Sequence, residues 1–371
     1  MSKIILLGND EVGIYAFRRD LITRLAKQGN TVIVGFPWAN NPARIRALGC
    51  EIVNTSINRH GTNIIEDIQL LNKYLKLFRD YHPDVVLTYT IKPNLYASFA
   101  CQICGIPYLN NITGMGAVFQ QDPMLAWVVA FLQKCAYRKS SCVFFQNRAN
   151  MERCCQLGIV SPVTPMRLLP GSGVNLALHA YEPFPENDGV IRFITVARIQ
   201  RAKGYTELFQ AAGQIKEKYP NIEFHIVGRY EEETFKDEVE HLVREGIIVY
   251  HGEMMQEDVH RLLAQCNCLV HPAYHEGMSN VCLEAAAAGR PILASDIPGC
   301  RETFDEGISG YGFQAKDANA LYMVVEKFIH TPLKQQEEMG LRGRKKMERE
   351  FDRQIVVNAY LEEIAKIAKK A

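Results

Sequence analysis

Twice along this chain, short apolar runs rich in β-branched residues alternate with amphipathic segments, and that repetition is what most restricts the fold. The first series reads as strands at Ile4–Leu7, Thr31–Gly35, Asp84–Tyr89, Ile106–Asn111 and Cys142–Gln146, with helical stretches between them. Strands that are apolar throughout, and are separated by helices, call for a parallel sheet covered on both faces. A Gly8-to-Gly13 loop leads into a helix with Phe17, Leu21, Ile22 and Leu25 on one face, stopped by Gly29-Asn30. Residues 161–189 hold five prolines and several glycines and interrupt the series. The pattern then restarts: IRFITVAR as a strand, a helix over Thr206–Tyr219, IEFHIVG as a strand, a helix over Thr234–Glu245, IIVYHG as a strand, a helix over Glu257–Gln265, CLVHPA as a strand, a further helix, and PILAS as a strand. The expected architecture is α/β, with two Rossmann-like doubly wound parallel-sheet domains at 1–165 and 190–350. Residues 166–189 are the expected linker, and a C-terminal helix at 351–371 is a candidate to pack back on the first domain.

The chain has 371 residues, too many for one ordinary core. Its net charge of +1 conceals an asymmetry. Residues 1–185 carry 18 Lys and Arg against 11 Asp and Glu, and the remainder carries 24 against 30. A basic half joined to an acidic half points to different partners for each. Eleven cysteines, many inside apolar stretches, and a start that runs directly into a strand suggest reduced thiols and a cytosolic setting. Cys101-x-x-Cys104 has no second pair to complete a zinc site, so packing is its expected role. No apolar run reaches the ~18 residues of a membrane span.

Chemistry concentrates in HEGMSNVCLEAAAAGRPILASD, residues 275–296. With a helix starting near Ser279, Glu276 lies in the loop before it and Glu284 within its first two turns. The backbone N–H groups near Met278, Ser279 and Asn280 then face outward at a helix N-terminus, which favours anions, and Gly277 permits close approach. Carboxylates beside a phosphate site repel it unless they hold hydroxyls, so a sugar and a ribose are natural targets. The competing structural reading makes Glu276 a cap and pairs Glu284 with a surface cation. Arg198 and Lys203 follow the first strand of the second series, at the strand end that faces a ligand crevice, and can converge on a diphosphate. Alone they would read as solvated cations. The Gly8–Gly13 loop imitates a dinucleotide fingerprint, but Asp10 occupies the position that must approach a pyrophosphate, and the second strand ends at Phe36-Pro37 without an acid for a ribose. A tight turn in which Asp10 or Glu11 binds acceptor hydroxyls is the better reading, beside a plain solvated loop.

Taken together, Glu276-x7-Glu284 within HPAYHEGMSNVCLEAAAAGRPILASDIPGCRE, preceded in order by VARIQRAKGY, HIVG and VYHGEM, resembles the signature of retaining glycosyltransferase family 4. The stretch TYTIKPNLYASFACQICGIPYLNNITGMGAVF is similar to bacterial α-1,3-N-acetylgalactosaminyltransferases that extend undecaprenyl-diphosphate-linked sugars. The resemblance implies a GT-B fold with an interdomain cleft. It implies transfer of an N-acetylhexosamine, GalNAc or GlcNAc, from UDP to a lipid-diphosphate-linked saccharide, with retention and without a metal. By position, Arg198 and Lys203 would hold the donor diphosphate, Glu276 the transferred sugar and Glu284 the ribose. Gly277, Met278, Ser279 and Asn280 would touch sugar and phosphate through backbone, and uracil would lie near Gly228, Arg229, His251 and Gly252. Acceptor and sugar contacts would fall to Gly8, Asp10, Gly13, Lys92, Thr113 and Gly114. Many members carry a His beside the donor sugar in the N-terminal domain. Here NITGMG offers Asn111, Thr113 and Gly114 instead, so Lys92 or Thr113 is the expected substitute.

The resemblance brings no resident cofactor; the UDP-sugar is a substrate, and the sequence lacks an Asp-x-Asp metal motif. An acceptor borne by a membrane gives meaning to Gln121–Ser140, an apolar stretch with Trp127 that ends in Lys134, Arg138 and Lys139. It suits an anionic bilayer surface, with an interior helix as the alternative. The expected location is the cytoplasm, peripheral on the inner face of the bacterial cytoplasmic membrane, with no nucleic-acid partner. Two other readings share the architecture: a UDP-N-acetylhexosamine epimerase or hydrolase, and a non-catalytic sugar-nucleotide-binding protein.

Overall fold

The computed structural model describes residues 1–38, 42–55, 63–114 and 123–369. Its chain divides into two compact units, residues 1–172 with 354–371, and residues 173–353. In the first, seven strands, β1 (Lys3–Leu7), β2 (Thr31–Phe36), β3 (Glu51–Asn54), β4 (Val85–Tyr89), β5 (Tyr108–Ile112), β6 (Cys142–Phe145) and β7 (Met166–Leu168), form one sheet in the order β3-β2-β1-β4-β5-β6-β7. In the second, β8 (Ile191–Val196), β9 (Ile222–Val227), β10 (Val249–Tyr250), β11 (Cys268–His271), β12 (Ile292–Ser295) and β13 (Gly310–Phe313) form the order β10-β9-β8-β11-β12-β13. Every described pairing is parallel, and in both sheets the order reverses beside the first strand. Loops leaving the strand ends at such a reversal diverge and leave room for a ligand.

In the first unit, helix Glu11–Lys27 packs through Ile14, Leu21, Ile22 and Leu25. Phe17 does not join that face. Arg18 takes the place, buried with its guanidinium 4.2 Å from the Tyr89 ring centroid and 3.4 Å from Ser172 Oγ. The flat cation stacks on the ring while its aliphatic stem fills the core, which is how a charge comes to replace Phe17 in the stripe. Val356, Val357, Ala359, Tyr360 and Ile364, from helix Arg353–Ala368, share this cluster with Ile4, Leu6 and Leu109. The other face is covered by helices Ile64–Tyr81, Ile91–Cys104 and Pro123–Tyr137.

In the second unit, helices Tyr205–Lys218 and Ala318–Ile329 cover one face and helices Gln256–Gln265 and Asn280–Ala287 the other. Ala285, Ala286 and Ala287 have no exposed surface, and a Cβ on Gly340 of helix Leu333–Lys346 would stand 2.0 Å from the Gly289 carbonyl oxygen. Small residues on both partners let that helix press directly on the one holding Glu284.

Three strands lie outside the sequence reading. β3 and β7 are edge strands of four and three residues without alternating burial, and β13 reads GYGF, its glycines masking the apolar pattern. The expected linker at 166–189 is not free of structure. Residues 166–168 add β7 to the first sheet, and from Gly173 the chain belongs to the second unit, where the Val174 N–H donates to the Phe351 carbonyl and the Val174 carbonyl accepts from the Arg353 N–H. Short strands such as β7 draw their definition from a neighbour rather than from their own sequence.

Candidate active site

The second unit gathers its candidate residues around the C-terminal ends of β8 and β11. After β8 the chain makes a short 3-10 turn, Arg201–Lys203, closed by Gly204 at φ 75°. A Cβ there would lie 2.0 Å from the Pro272 carbonyl oxygen, so only glycine lets this loop lie against the chain leaving β11. The Tyr274 N–H donates to the Ala202 carbonyl at 3.0 Å and fastens the two loops together. Lys203 Nζ consequently reaches Glu276 Oε1 at 2.5 Å. His271, the last residue of β11, places Nε2 3.0 Å from the same oxygen.

Glu276, Lys203 and His271 are all largely buried. Burial alone pushes the Glu276 carboxyl up, but the His271 hydrogen bond and the Lys203 charge outweigh it and hold the group down at about 2. Glu276 is therefore an anion at neutral pH, fixed by two partners on one oxygen. The backbone around it is set by Gly299, φ 89°, whose Cβ would stand 2.8 Å from the Glu276 carbonyl oxygen, and by a 2.7 Å bond from Ser279 N–H to the Gly299 carbonyl. Helix Asn280–Ala287 begins here. Ser279 caps it, its hydroxyl accepting from the Cys282 N–H at 3.4 Å. The capping role offered to Glu276 as an alternative belongs to Ser279. Met278 turns its side chain into the core, so only its backbone is left for a ligand, while Asn280 Oδ1 is buried with no hydrogen-bond partner among the described residues.

Glu284 faces a separate group within the unit. Gln256 Nε2 donates to its Oε1 at 3.4 Å and His179 Nε2 lies 3.7 Å away. Beside them is a cavity of about 180 Å³ lined by Leu178, His179, Gln256, Glu257, His260 and Arg261. Arg198 turns to Glu231 at 2.9 Å, and Arg229 approaches that carboxylate at 3.8 Å. Lys203 is thus drawn to Glu276 and the two arginines to Glu231, so the two cations expected on one diphosphate have separate partners. Gly228 has φ 153°, and its Cβ would sit 1.8 Å from the Ala197 carbonyl oxygen; its N–H donates to the Gly252 carbonyl at 2.8 Å. His251 stacks on His225 with the rings 5.1 Å apart, and burial lowers the pKa of both.

In the first unit the candidate acceptor residues lie at the C-terminal strand ends. Asp10 is the N-cap of its helix, its carboxylate accepting from the Gly13 N–H, so one side of the group expected to hold hydroxyls is occupied by backbone. Gly8 N–H donates to the Gly35 carbonyl at 2.9 Å. Lys92 pairs with Asp67 at 2.8 Å. Thr113 and Gly114 follow β5, and among the described residues nothing beyond its chain neighbours lies within 4 Å of a Cβ built on Gly114. Asn111 is structural: buried, it receives the Tyr360 hydroxyl and donates to the Thr88 carbonyl. Met115 and Gly116 of the NITGMG stretch lie outside the described residues.

Sequence reasoning missed His271, His179, Gln256 and Thr90. His271 carried a usable signal, a polar residue closing a buried apolar strand. Thr90 stands at φ 72° directly after β4, an unusual conformation for a β-branched residue, with a buried hydroxyl that has no partner among the described residues.

Comparison with known proteins gives the class to which the two units belong. Residues 179–346 match the model of Glycosyl transferases group 1, and residues 3–147 match Glycosyl transferase 4-like. With one such domain in each unit, the chain is a glycosyltransferase of the GT-B type. Its C-terminal part belongs to group 1 and its N-terminal part to the 4-like domains. It is 26% identical over 86% of its length to the N,N'-diacetylbacillosaminyl-diphospho-undecaprenol alpha-1,3-N-acetylgalactosaminyltransferase of Campylobacter jejuni, covering 87% of that protein. It is 29% identical to the capsular polysaccharide biosynthesis glycosyltransferase CapM of Staphylococcus aureus, over 43% of this chain and 42% of CapM. Among solved structures, sucrose-phosphate synthase from Thermosynechococcus elongatus superposes with a TM-score of 0.80 at 19% identity, over all of both chains. Anabaena HepE, solved with UDP and glucose, gives 0.78 at 16% identity over 99% of this chain and all of that one. At such identities the structures speak for the fold.

Proposed function

We propose that the chain transfers an N-acetylhexosamine from UDP to a saccharide carried on undecaprenyl diphosphate, with retention at the anomeric carbon and without a metal ion. The observation that carries this reading is the Lys203–Glu276–His271 cluster beside the N-terminus of helix Asn280–Ala287. It combines a cation for a diphosphate, an anchored carboxylate for sugar hydroxyls and helix N–H groups for a leaving phosphate. Glu284 takes the ribose and the β9 and β10 ends take the uracil. The first unit holds the acceptor through the β1, β4 and β5 ends.

In the reaction the bond from the anomeric carbon to the UDP oxygen breaks, and the acceptor oxygen bonds the same face of that carbon. The acceptor's proton passes to the departing phosphate. Glu276 is held by two partners, which suits a carboxylate that binds hydroxyls rather than one that attacks carbon. Front-face substitution through an ion-pair-like transition state therefore fits better than double displacement. Catalysis rests on Lys203, Arg198 and the helix N-terminus, which stabilise the charge building on UDP. Lys203 neutralises Glu276, and donor binding gives it a second anion. The relative from Campylobacter and the basic first half favour work at the inner face of the cytoplasmic membrane.

The test is a thermal shift against UDP, GDP, UDP-GlcNAc and UDP-GalNAc, followed by transfer to undecaprenyl-diphosphate-linked saccharides. Stabilisation by UDP and one UDP-N-acetylhexosamine, with UDP release that depends on the lipid acceptor, supports the proposal. UDP release independent of acceptor assigns the chain to hydrolysis or epimerisation, and stabilisation by GDP alone refutes the donor assignment.

A further inference from the structure

On β9 the side chains of Glu223, His225 and Val227 share one face, and the register with β10, Val249 opposite His225, puts His251 on that face too. Phe224 and Ile226 turn the other way, into an apolar core. His225 is buried, at 9% exposure, and a line of hydrogen bonds runs through it. Arg192 Nη2 donates to Asp188 Oδ2 at 2.7 Å, and Arg192 Nε donates to Glu223 Oε2 at 3.1 Å. His225 Nε2 stands 3.2 Å from that same oxygen. On its other side His225 Nδ1 stands 2.9 Å from His251 Nε2.

The line has a direction. A carboxylate paired with a guanidinium only accepts, so the proton of His225 is on Nε2. Burial lowers the pKa of both His225 and His251, which favours neutral rings. A neutral ring protonated at Nε2 has a lone pair at Nδ1. His225 Nδ1 therefore accepts, and His251 Nε2 donates. His251, neutral in its turn, keeps a lone pair on its own Nδ1. Among the described residues the His251 side chain makes no other hydrogen bond, so no described donor meets that lone pair. Packing alone does not account for the arrangement, because an aliphatic residue at 225 would cover this face without a buried polar ring.

His251 stands just past the C-terminal end of β10, where a doubly wound sheet opens to its ligand. Beyond its chain neighbours nothing described lies within 4 Å of a Cβ built on Gly252, so there is room beside the ring. We infer that Glu223 and His225 are positioning residues that set His251 as a hydrogen-bond acceptor, and that His251 Nδ1 receives the N3–H of the donor's uracil. In a uridine nucleotide N3–H is the base's one N–H donor, while cytosine has a lone pair at N3. The lone pair on His251 matches the first and repels the second. The inference rests on the UDP reading above. It adds what distinguishes uracil from cytosine: a carboxylate that acts on the base through two imidazoles.

The test is NMR at neutral pH on the full-length chain, isotopically labelled at its histidine nitrogens, with the two rings assigned from His225→Gln and His251→Gln. Both should be Nε2–H tautomers. Saturating UDP should move the His251 Nδ1 resonance upfield, as an accepted hydrogen bond does, and CDP should not. By calorimetry UDP should bind about tenfold or more tighter than CDP, the scale of one mismatched hydrogen bond. Glu223→Ala frees the His225 tautomer and should bring that ratio down toward one. Glu223→Lys presents a donor, which reverses the line, makes His251 Nδ1 an N–H and should turn the preference to CDP. A role confined to holding β10 on β9 would weaken both nucleotides alike.

A His251 ring protonated at Nδ1 in the wild type overturns the inference, and these wild-type spectra decide it even if neither Glu223 variant folds. Tautomers unmoved in both folded variants also overturn it, as does a UDP-to-CDP ratio unchanged where the tautomers have shifted. If UDP stabilises the chain thermally while the His251 signal stays still, the inference falls and the donor reading stands. If UDP gives neither response, both fall. UDP bound through His251 without transfer to any lipid-linked saccharide leaves the inference standing and refutes the acceptor reading.

Discussion

Replacing Glu276 by Gln separates the electrostatics of the site from its packing. The carboxyl sits at about 2 in the folded chain against an ordinary value of 4.5. A difference of that size corresponds to about 3 kcal/mol of folding stability carried by the ionised form. The folded value lies below the unfolded one, so the contribution is complete above pH 4.5 and disappears as the pH falls toward 2. From pH 5 to pH 3 the wild type should lose about 2 kcal/mol through this group, while Glu276→Gln has nothing to lose there.

The assay must isolate the second unit, because a chain of two units need not unfold in one step. Both tryptophans lie in the first unit and cannot report on it. Peptide-resolved hydrogen exchange over residues 265–295 in a urea series, corrected for intrinsic exchange rates, gives its opening free energy at each pH. The stability gap between wild type and Glu276→Gln should shrink by about 2 kcal/mol between pH 5 and pH 3. A gap that stays constant, or widens on acidification, would mean that Lys203 and His271 do not hold the carboxylate as an anion. The same experiment on Lys203→Met should show a smaller pH-dependent loss, because one of the two stabilising partners is gone.

Lys203→Ala should lower turnover by about 10²–10³-fold, the scale for removing one charge-stabilising group; wild-type rates from a folded variant would move the diphosphate site elsewhere. Transfer should persist in excess EDTA, and full loss restored by manganese would refute metal independence. Gly228→Ala places a Cβ 1.8 Å from the Ala197 oxygen at φ 153°, so calorimetry should find the variant destabilised by ~3 kcal/mol or more. Burial lowers the His225 pKa, so the neutral ring is favoured in the folded chain. Its contribution is present above about pH 6.5 and is lost as the pH falls below that value. Exchange measurements on His225→Gln should therefore show a weaker fall in stability between pH 6.5 and 5 than wild type.

How far the sequence could be read depended on whether a residue's role was local or set by a distant loop. The central strands were legible because they are buried on both faces, and their apolar runs announce themselves. The edge strands β3 and β7 were not, since their register is imposed by β2 and β6. In the site, the Glu276 loop and the helix carrying Glu284 were visible as spacing alone. The pairing of Lys203 with Glu276 was not, because it depends on Gly204 admitting the β8 loop against Pro272, a contact 68 residues away in sequence. His179 shows the same limit: it sits in a proline-rich stretch with no period, yet the fold brings it to Glu284. Phe17 and Arg18 mark the opposite failure. The apolar residue is plainly hydrophobic, but the buried position goes to a cation because Tyr89 and Tyr360 supply aromatic faces for it. Hydropathy counts side chains one at a time, and a guanidinium stacked between rings is favourable only as part of the set. The parts of the site that can be found from sequence are therefore those whose chemistry is repeated locally, and the parts that tune it have to be found through the contacts that glycines and aromatic rings make possible.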